Sequence, residues 1–250
     1  MKILLVNDDG INSVGLRQLA KVLSDSGHIV HVVAPDSQRS GYSHFMTFRK
    51  PIYCITEKVD GATSAYSITG TPTDCVKFAL VQLAIEPDLV ISGPNEGANY
   101  GTDVIYSGTV SASQEACILG RKTVALSCKS NDKNEYNYDG LIEFALRNLD
   151  NFVNYDKPYT FLSVNAPSLA YDQIKGVKLV RLGIHSFNDR YDLIENDDGQ
   201  GYSLDGEPKP LEIKSDCDIT AVHDGYIAIT PIKTDRTDYD ELDKLKEIFK

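Results

Sequence analysis

The sequence has no hydrophobic run long enough to cross a lipid bilayer. Its longest uncharged apolar stretch lies around residues 78–85 and is interrupted by Gln82, whereas a membrane-spanning helix needs about 20 apolar residues. We expect no secretory signal at the N-terminus either, because Asp8 and Asp9 follow only a short apolar segment. These features predict a cytoplasmic protein with no membrane partner.

The sequence has no cysteine spacing typical of a metal or redox motif. The five cysteines are odd in number and include no Cys-x-x-Cys pair, which argues against both a disulfide framework and a zinc site. We expect buried free thiols at all five positions, which are Cys54, Cys75, Cys117, Cys128 and Cys217.

Basic residues are too few and too scattered for a nucleic-acid-binding protein. Lys and Arg number 25 against 36 Asp and Glu, so the formal net charge is -11, and no basic run is longer than 121–122. The resulting field repels polyanions, and duplex DNA as a partner requires a local basic stripe. We therefore expect no duplex nucleic acid as a partner, and any phosphate group must be held by local structure.

What the sequence does contain is the pattern of a folded α/β protein. With 250 residues, of which 42% are hydrophobic, the chain can bury a substantial core. Short apolar runs alternate with segments of helical periodicity, which predicts a three-layer α/β/α fold with a doubly wound, largely parallel sheet and a Rossmann-like core. The predicted strands are 3–7, 29–34, 88–92, 123–128 and 161–166, and helices follow Ser13, Thr71 and Ser107.

The pattern changes after Gly176 and predicts a projecting C-terminal arm. The segments VKLVRLG, RYDLIEN and LEIKSD, with a Gly-Tyr-Ser and Asp-Gly turn cluster between them, are typical of hairpin strands. We predict a single domain over 1–250, with a core of about 1–170 and 217–236, a β-hairpin arm at about 176–216 and a terminal helix at about 237–250. An exposed arm favours pairing with another subunit.

Polar residues collect where the predicted strands end. Asp8 and Asp9 follow the first strand, Ser40 lies in the loop after the second, and Asn95 and Asn99 follow a later strand. In open parallel sheets, ligands bind beyond the carboxyl ends of the strands. These three loops are therefore expected to face one crevice.

The adjacent aspartates favour a divalent metal site. Two neighbouring carboxylates repel each other unless a cation lies against them. Carboxylate, hydroxyl and amide oxygens prefer Mg²⁺, Mn²⁺ or Ca²⁺ to the softer metals that His and Cys bind. Taken alone, however, Asp8 and Asp9 fit a strand-to-helix turn with an aspartate cap equally well.

A second candidate feature is the triplet Ser107, Gly108 and Thr109, which stands just before a helical pattern. Unpaired backbone amides and the helix dipole attract an anion there, and a metal beside them would complete a phosphate pocket. An ordinary helix cap explains the same residues. Neither glycine-rich loop matches a dinucleotide or P-loop fingerprint, and we expect a structural role for His44, which lies in the same loop as Ser40.

Four segments carry a specific resemblance to a known family. They are ILLVNDDGINSVGLRQLA, VVAPDSQRSGYSHFMT, ITGTPTDCVKFAL and DLVISGPNEGANYGTDVIYSGTVSASQEA, which span most of residues 3–116. Weaker similarity continues through FLSVNAP, GVKLVRLG and ITAVHDGYIAITPI. The sequence therefore resembles the SurE (survival protein E) family of metal-dependent 5'-nucleotidases over nearly its whole length.

The resemblance implies a reaction, a set of site residues and an assembly. It implies hydrolysis of nucleoside 5'-monophosphates, of 3'-monophosphates as well in many members, and of short polyphosphate in some. One divalent metal ion per subunit is implied at Asp8, Asp9, Ser40 and Asn95, with Asp8 and Asp9 also catalytic. Phosphate binding is implied at Asn99, Ser107, Gly108 and Thr109. Homodimers or homotetramers held together through the C-terminal arm are implied as well.

Two departures from the family pattern flank the metal-binding asparagine. Pro94 precedes Asn95 where an aliphatic residue is common, which stiffens the loop and leaves ligation possible. Glu96 follows it where a neutral or basic residue is common, and its negative charge counts against polyphosphate as a substrate.

Two mechanisms and a non-catalytic function stay open at this level. Water can attack phosphorus with the help of a metal, or an aspartate can attack and form an aspartyl phosphate. A non-catalytic nucleotide- or phosphate-binding module could use the same acidic pocket. A receiver-type signalling module also has this acidic pair, but it needs a phosphoacceptor after its third strand, where PIYCITEKVDG offers only Asp60.

Overall fold

A computed structural model describes residues 1–196, 199–209 and 216–249. The strands are β1 (Lys2–Val6), β2 (Ile29–Pro35), β3 (Cys54–Thr56), β4 (Ser64–Ile68), β5 (Leu89–Glu96), β6 (Thr123–Lys129), β7 (Thr160–Pro167), β8 (Val177–Leu179), β9 (Phe187–Asn196), β10 (Gly199–Pro208) and β11 (Ile227–Lys233). The helices are α1 (Val14–Asp25), α2 (Pro72–Lys77), α3 (Gly108–Ile118), α4 (Asp139–Arg147), α5 (Leu149–Asn154), α6 (Asp218–His223) and α7 (Tyr239–Ile248).

The main sheet has the order β3-β4-β2-β1-β5-β6-β7-β11-β8. Its central strands, from β4 to β7, are all parallel, whereas β3 and β11 each run antiparallel to a neighbour. Strand β1 therefore lies in the middle of the sheet, between β2 and β5. The predicted doubly wound, largely parallel fold is confirmed, and the carboxyl ends of β2, β1 and β5 lie side by side at one edge.

Helices cover both faces of this sheet. In β1, Ile3 and Leu5 pack in the same core as α1, α4 and α5, whereas Leu4 and Val6 pack in the core that contains α2 and part of α3. Successive side chains of a strand point to opposite faces, so a continuous apolar run indicates burial on both sides. The fully buried run in β1 is the direct signature of the three-layer arrangement.

Local sequence signals place the start of α2 correctly. The Thr71 hydroxyl accepts a hydrogen bond from the backbone N–H of Asp74, and the Asp74 carboxylate accepts one from the N–H of Thr71. This capping box satisfies backbone groups that a helix start leaves unpaired. Beyond Lys77 the chain continues through a π-helical turn, Phe78–Gln82.

Strand β5 is longer than the sequence pattern predicts. The pattern ends the strand at residue 92 and places residues 93–101 in a loop, but the strand continues to Glu96. A bulge between Ser92 and Asn95 shifts the register, after which Asn95 pairs with Ser127 and Glu96 with Cys128 of β6. The extension holds Asn95 on a paired strand instead of a free loop.

The C-terminal arm begins later than predicted and is built differently. Strand β8 pairs with β11 in the main sheet, so the arm does not begin at 176. The hairpin consists of β9 and β10, and β10 contains the Gly-Tyr-Ser and Asp-Gly residues that were predicted as turns. Most of the predicted strand LEIKSD lies outside the described residues.

Two further features complete the fold. Among the described cysteines, Cys54 is exposed and the other four are buried, so the expectation of five buried thiols is wrong at the edge strand β3. In the part of the chain that the structure describes, we find no helix with the length and apolar character needed to cross a membrane.

Candidate metal and phosphate site

A buried asparagine shapes the turn that follows β1. The side-chain amide of Asn7 donates to the carbonyl of Gly10 at 2.9 Å and to the Ser13 hydroxyl at 2.8 Å, and its Oδ1 accepts from the Gly10 N–H at 3.2 Å. Asn7 is fully buried. Asn7 therefore fixes the turn that carries Asp8 and Asp9. The signal for this role in the sequence is its position at the end of a predicted buried strand.

Asp8 is buried against the start of α3. Its Oδ1 accepts a hydrogen bond from the Thr109 hydroxyl. Burial raises the pKa of Asp8, while this hydrogen bond and the backbone N–H groups of Thr109 and Gly108 oppose the rise. A Cβ at Gly108 would lie 2.9 Å from both Cβ and Oδ2 of Asp8. Only glycine leaves room for the carboxylate at this helix N-terminus.

Asp9 is half-buried and incompletely paired. Its Oδ2 accepts from the backbone N–H of Glu96 at 2.9 Å, and its Oδ1 is buried with no hydrogen-bond partner among the described residues. Burial raises the pKa of Asp9 to about 7; the charge of Asp8 adds to the rise, and so, more weakly, does that of Glu96. A buried carboxylate oxygen with no partner beside a second carboxylate is the environment that a cation stabilises.

The loops that carry Ser40 and Asn95 reach the same edge of the sheet. The N–H of Arg39 donates to the backbone carbonyl of Asp8 at 2.7 Å, which holds the residue next to Ser40 at the aspartate turn. Ser40 is exposed. The side-chain amide nitrogen of Asn95 donates to the carbonyl of Gly97 at 2.8 Å, which leaves Oδ1 of Asn95 as its remaining polar atom.

The residues predicted to bind phosphate have different surroundings from one another. The Thr109 hydroxyl is used by Asp8, so Thr109 and Gly108 hold a carboxylate of the chain itself. The Ser107 hydroxyl accepts from the N–H of Val110 as the cap of α3 and keeps its own proton for donation. Of the predicted set, Ser107 therefore has the clearest means to donate to an anion.

Asn99 is tied into the sheet. Its side-chain amide donates to the Ser127 hydroxyl at 2.9 Å, and its backbone N–H and carbonyl are both bound by the side chain of Asn165 at 2.8 and 3.0 Å. All three residues are buried. Asn165 anchors the loop after β5 to β7. It was not among the residues predicted from the sequence, where the available signal is an asparagine inside a predicted apolar strand.

A buried ion cluster anchors the loop that carries Ser40. The Glu115 carboxylate on α3 lies 2.8 Å from His44 Nε2 through Oε2 and 2.6 Å from Lys77 Nζ through Oε1. The side-chain hydrogen bond from His44 lowers the pKa of Glu115, the contacts with Lys77 lower it further, and burial opposes both. His44 thus has the structural role expected from the sequence, and it couples the loop to the helix that holds Asp8.

Replacing Glu115 with Gln is expected to lower the free energy of unfolding by about 1–2 kcal/mol at pH 7. The variant loses a buried negative charge that is paired with Lys77 and hydrogen-bonded to His44, and the partial exposure of Lys77 reduces the loss of stability. Because folding lowers the pKa of Glu115, its stabilisation is present above the ordinary value of 4.5 and is lost as the pH falls through the lowered pKa. Urea unfolding from about pH 7 to about pH 3 measures the difference.

The matched control for this variant is Glu143→Gln. Glu143 pairs with Arg147 on the exposed surface of α4, where such a pair is worth about 0.5 kcal/mol or less. Equal stability of wild type and Glu115→Gln at pH 7 would show that the cluster does not hold the loop.

The donors at this edge are oxygen atoms. Within the described ranges, we find no group of three or more His, Cys, Asp and Glu side chains placed to hold a metal. Two carboxylates remain, with hydroxyl and amide oxygens on neighbouring loops, and this set suits a hard divalent cation. The arrangement combines a candidate cation site with the hydroxyl of Ser107 at the start of α3.

The chain is similar to known proteins over its whole length. A family model described as survival protein SurE matches residues 3–189. A 5'-nucleotidase SurE from Alkaliphilus metalliredigens is 40% identical over 255 residues, covering 99% of this chain and 98% of the relative. The 5'-nucleotidase SurE of Desulforudis audaxviator is 42% identical over 255 residues, with coverages of 99% and 97%. The crystal structure of the SurE protein from Aquifex aeolicus superposes with a TM-score of 0.82 at 34% identity, and all of both chains is covered.

Proposed function

The chain belongs to the SurE family and is a 5'-nucleotidase, and we propose that it hydrolyses nucleoside 5'-monophosphates with one divalent cation bound per subunit. The observation that carries the metal dependence is the buried, unpartnered Oδ1 of Asp9 beside Asp8. Nucleoside 3'-monophosphates are included in the proposal. Short polyphosphate is the weakest candidate substrate, because Glu96 adds negative charge next to Asp9.

Four residues would hold the cation, namely Asp8, Asp9, Ser40 and Asn95. Their carboxylate, hydroxyl and amide oxygens fit Mg²⁺, Mn²⁺ or Ca²⁺. When bound, such an ion supplies positive charge that stabilises the negative charge developing on the phosphoryl group.

The side chains have distinct parts in the proposed reaction. Asp8 is held in place by the Thr109 hydroxyl and the start of α3, whereas Asp9 retains an oxygen without a partner among the described residues. Asp9 would therefore hold the cation through Oδ1, and it is assigned to orient the attacking water beside that ion. A new bond forms between the water oxygen and phosphorus and the bond from phosphorus to the ribose oxygen breaks. The water loses one proton and the ribose oxygen takes up one from solvent, so nucleoside and phosphate are released with the protons in balance. Ser107 donates its hydroxyl proton to a phosphoryl oxygen.

We further propose that the protein assembles as a homodimer or homotetramer through its C-terminal arm. The hairpin exposes the large apolar side chains Tyr191, Leu193, Ile194, Tyr202 and Leu204. Helix α7 has no buried residue, and its Leu242, Leu245 and Ile248 are all exposed. Large apolar side chains exposed in this way favour burial against another subunit.

Phosphate release tests the proposed function directly. Wild-type protein is treated with a chelator, and release is measured from AMP, GMP, 3'-AMP and short polyphosphate before and after Mg²⁺, Mn²⁺ or Ca²⁺ is added. We expect release from the monophosphates only with added metal. The absence of release with any of the three metals would contradict the proposal and favour a non-catalytic nucleotide- or phosphate-binding pocket.

Replacing Thr109 with Val is expected to weaken metal binding about tenfold to a hundredfold. The change keeps the side-chain shape but removes the hydroxyl that orients Asp8, and partners of metal ligands contribute affinity on this scale. Thr109→Ser retains the hydroxyl and is expected to bind nearly as tightly as wild type. Calorimetric titration with Mn²⁺ measures the three affinities.

A matched Thr-to-Val control is available in β6. Thr123 is buried, and its hydroxyl has no partner among the described residues. Thr123→Val therefore makes the same chemical change at the opposite end of the parallel strands and leaves Mn²⁺ affinity unaltered. If both variants lose affinity equally, the hydroxyl of Thr109 does not act through Asp8.

A further inference from the structure

A cavity of about 720 Å³ opens next to the candidate metal site. Gly97 joins the two, because its carbonyl accepts from the Asn95 side chain and its backbone also lines the cavity. A Cβ built on Gly97 would meet the Asn95 amide nitrogen at 3.6 Å and no other described atom within 4 Å. The space beside Gly97 is therefore free where a Cβ would project, and the cavity volume is of the size that small-ligand sites have.

Four rings from three segments of the chain line this cavity. Tyr100 comes directly after Asn99. His185 lies just before the hairpin, Phe187 is the first residue of β9, and His223 is the last residue of α6. The ring of Tyr100 lies 6.1 Å from the rings of both His185 and His223, and His185 lies 5.1 Å from Phe187. Side-chain π-faces of this kind are what nucleic-acid bases stack on.

Tyr100 is the best placed of these rings. It lies five residues after Asn95, and its backbone is fixed because the preceding residue, Asn99, is bound to Asn165. The Tyr100 hydroxyl and His223 Nε2 are 3.3 Å apart. Burial, together with the nearby acidic groups, raises the pKa of Tyr100 to about 12, so the ring stays neutral.

Two lysines add positive charge at this cavity in a chain whose net charge is -11. Lys129 is the last residue of β6, and Lys209 follows β10; the lining also contains one acid, Asp103, which pairs with His185 at 3.0 Å. The cavity therefore combines ring faces with cationic groups, a combination that suits an aromatic, hydrogen-bonding group attached to a phosphate.

We propose that the nucleoside part of the substrate binds in this cavity, with its base against the Tyr100 ring, while its phosphate reaches the aspartates past Gly97. The inference rests on the proposed nucleotidase function and assigns Tyr100 as a residue that determines specificity for nucleotides over other phosphomonoesters.

Substrates with and without a base test the assignment. We expect Tyr100→Leu to raise the KM for AMP about tenfold, equivalent to about 1.4 kcal/mol, which lies in the range of base stacking on a ring. The kcat/KM for ribose 5-phosphate, which has no base, is expected to stay within about twofold of wild type. Tyr100→Phe keeps the ring and is expected to retain the wild-type KM for AMP.

Two kinetic outcomes would overturn the inference while leaving the nucleotidase function intact. Equal losses on AMP and ribose 5-phosphate would mean that Tyr100 supports the loop and does not contact the base. Unchanged kinetics on both substrates would place the base elsewhere.

A binding measurement tests the cavity without turnover. The sequence contains no tryptophan, so Tyr100→Trp keeps a ring and adds the chain's sole tryptophan as a fluorescent reporter. We expect saturable quenching by adenosine and none by ribose. Tyr159→Trp is the matched control, because Tyr159 is exposed just before β7, at the edge opposite the site.

The binding result separates failure of the inference from failure of the proposed function. If wild type releases no phosphate but adenosine quenches only the Tyr100→Trp variant, the nucleoside site is supported and the hydrolytic function is contradicted. If adenosine quenches neither variant, or both equally, the nucleoside site is wrong.

Discussion

Replacing Asp8 with Asn is expected to reduce phosphate release from AMP by about a thousandfold or more while the protein stays folded. The variant loses one of the two carboxylates that would hold the cation, and electrostatic groups at a reaction centre contribute about 10²–10³ each, with loss of the ion adding to this. The side chain keeps its shape, and an amide can still pair with the Thr109 hydroxyl. Steady-state phosphate release with added Mn²⁺ measures the effect.

Thermal unfolding shows whether the loss arises from metal binding. Saturating Mn²⁺, at about 100 times its Kd, is expected to stabilise wild type by about 2.7 kcal/mol, and Asp8→Asn by much less. Asp88→Asn is the control, because Asp88 is exposed at the start of β5, at the other end of the strands. Full activity of Asp8→Asn would remove Asp8 from the site.

Replacing Gly93 with Ala is expected to destabilise the fold by about 3 kcal/mol or more. Gly93 has a φ of +112°, and an added Cβ would lie 2.2 Å from the Leu126 carbonyl oxygen. Backbone strain of this kind costs about 1–3 kcal/mol, and overpacking costs a similar amount. The variant should also lose metal affinity, since the bulge at Gly93 sets the register that places Asn95. Urea unfolding measures the loss.

Gly97→Ala separates the backbone strain from the overpacking. Gly97 has a similar φ of +124°, but a Cβ there would approach only the Asn95 amide, at 3.6 Å, among the described residues. It is therefore expected to show the backbone strain alone, about 1–3 kcal/mol. Equal destabilisation by the two substitutions would show that the contact between a Cβ at position 93 and the Leu126 carbonyl adds nothing to the backbone strain.

Much of the fold could be predicted from local pattern. The apolar run of β1 and the capping box at Thr71 depend on neighbours within a few residues, so the sequence reports them directly. Strand β8 shows the limit of such reasoning. Its three residues are typical of any short strand, and only pairing with β11 assigns it to the main sheet instead of the arm.

The candidate metal donors could be assembled from the sequence because strand ends in a parallel sheet converge on one edge. Such convergence requires only that the strands run parallel, which the alternation of strands and helices along the chain predicts. It does not reveal which oxygens already have partners. The finding that Thr109 serves Asp8, and that Asp9 keeps an unpartnered oxygen, required the packed structure.

The sequence by itself determined the strands β1, β2, β5, β6 and β7 apart from the end of β5, the acidic turn and the family of this protein, since each is encoded in residues close together along the chain. The tertiary structure alone decided the contacts that tune the site. Thr109 and Asp8 are separated by 101 positions, and Glu96 and Asp9 by 87. Such contacts depend on how β1, β5 and α3 are stacked, because a hydrogen bond forms only where packing brings donor and acceptor within about 3 Å.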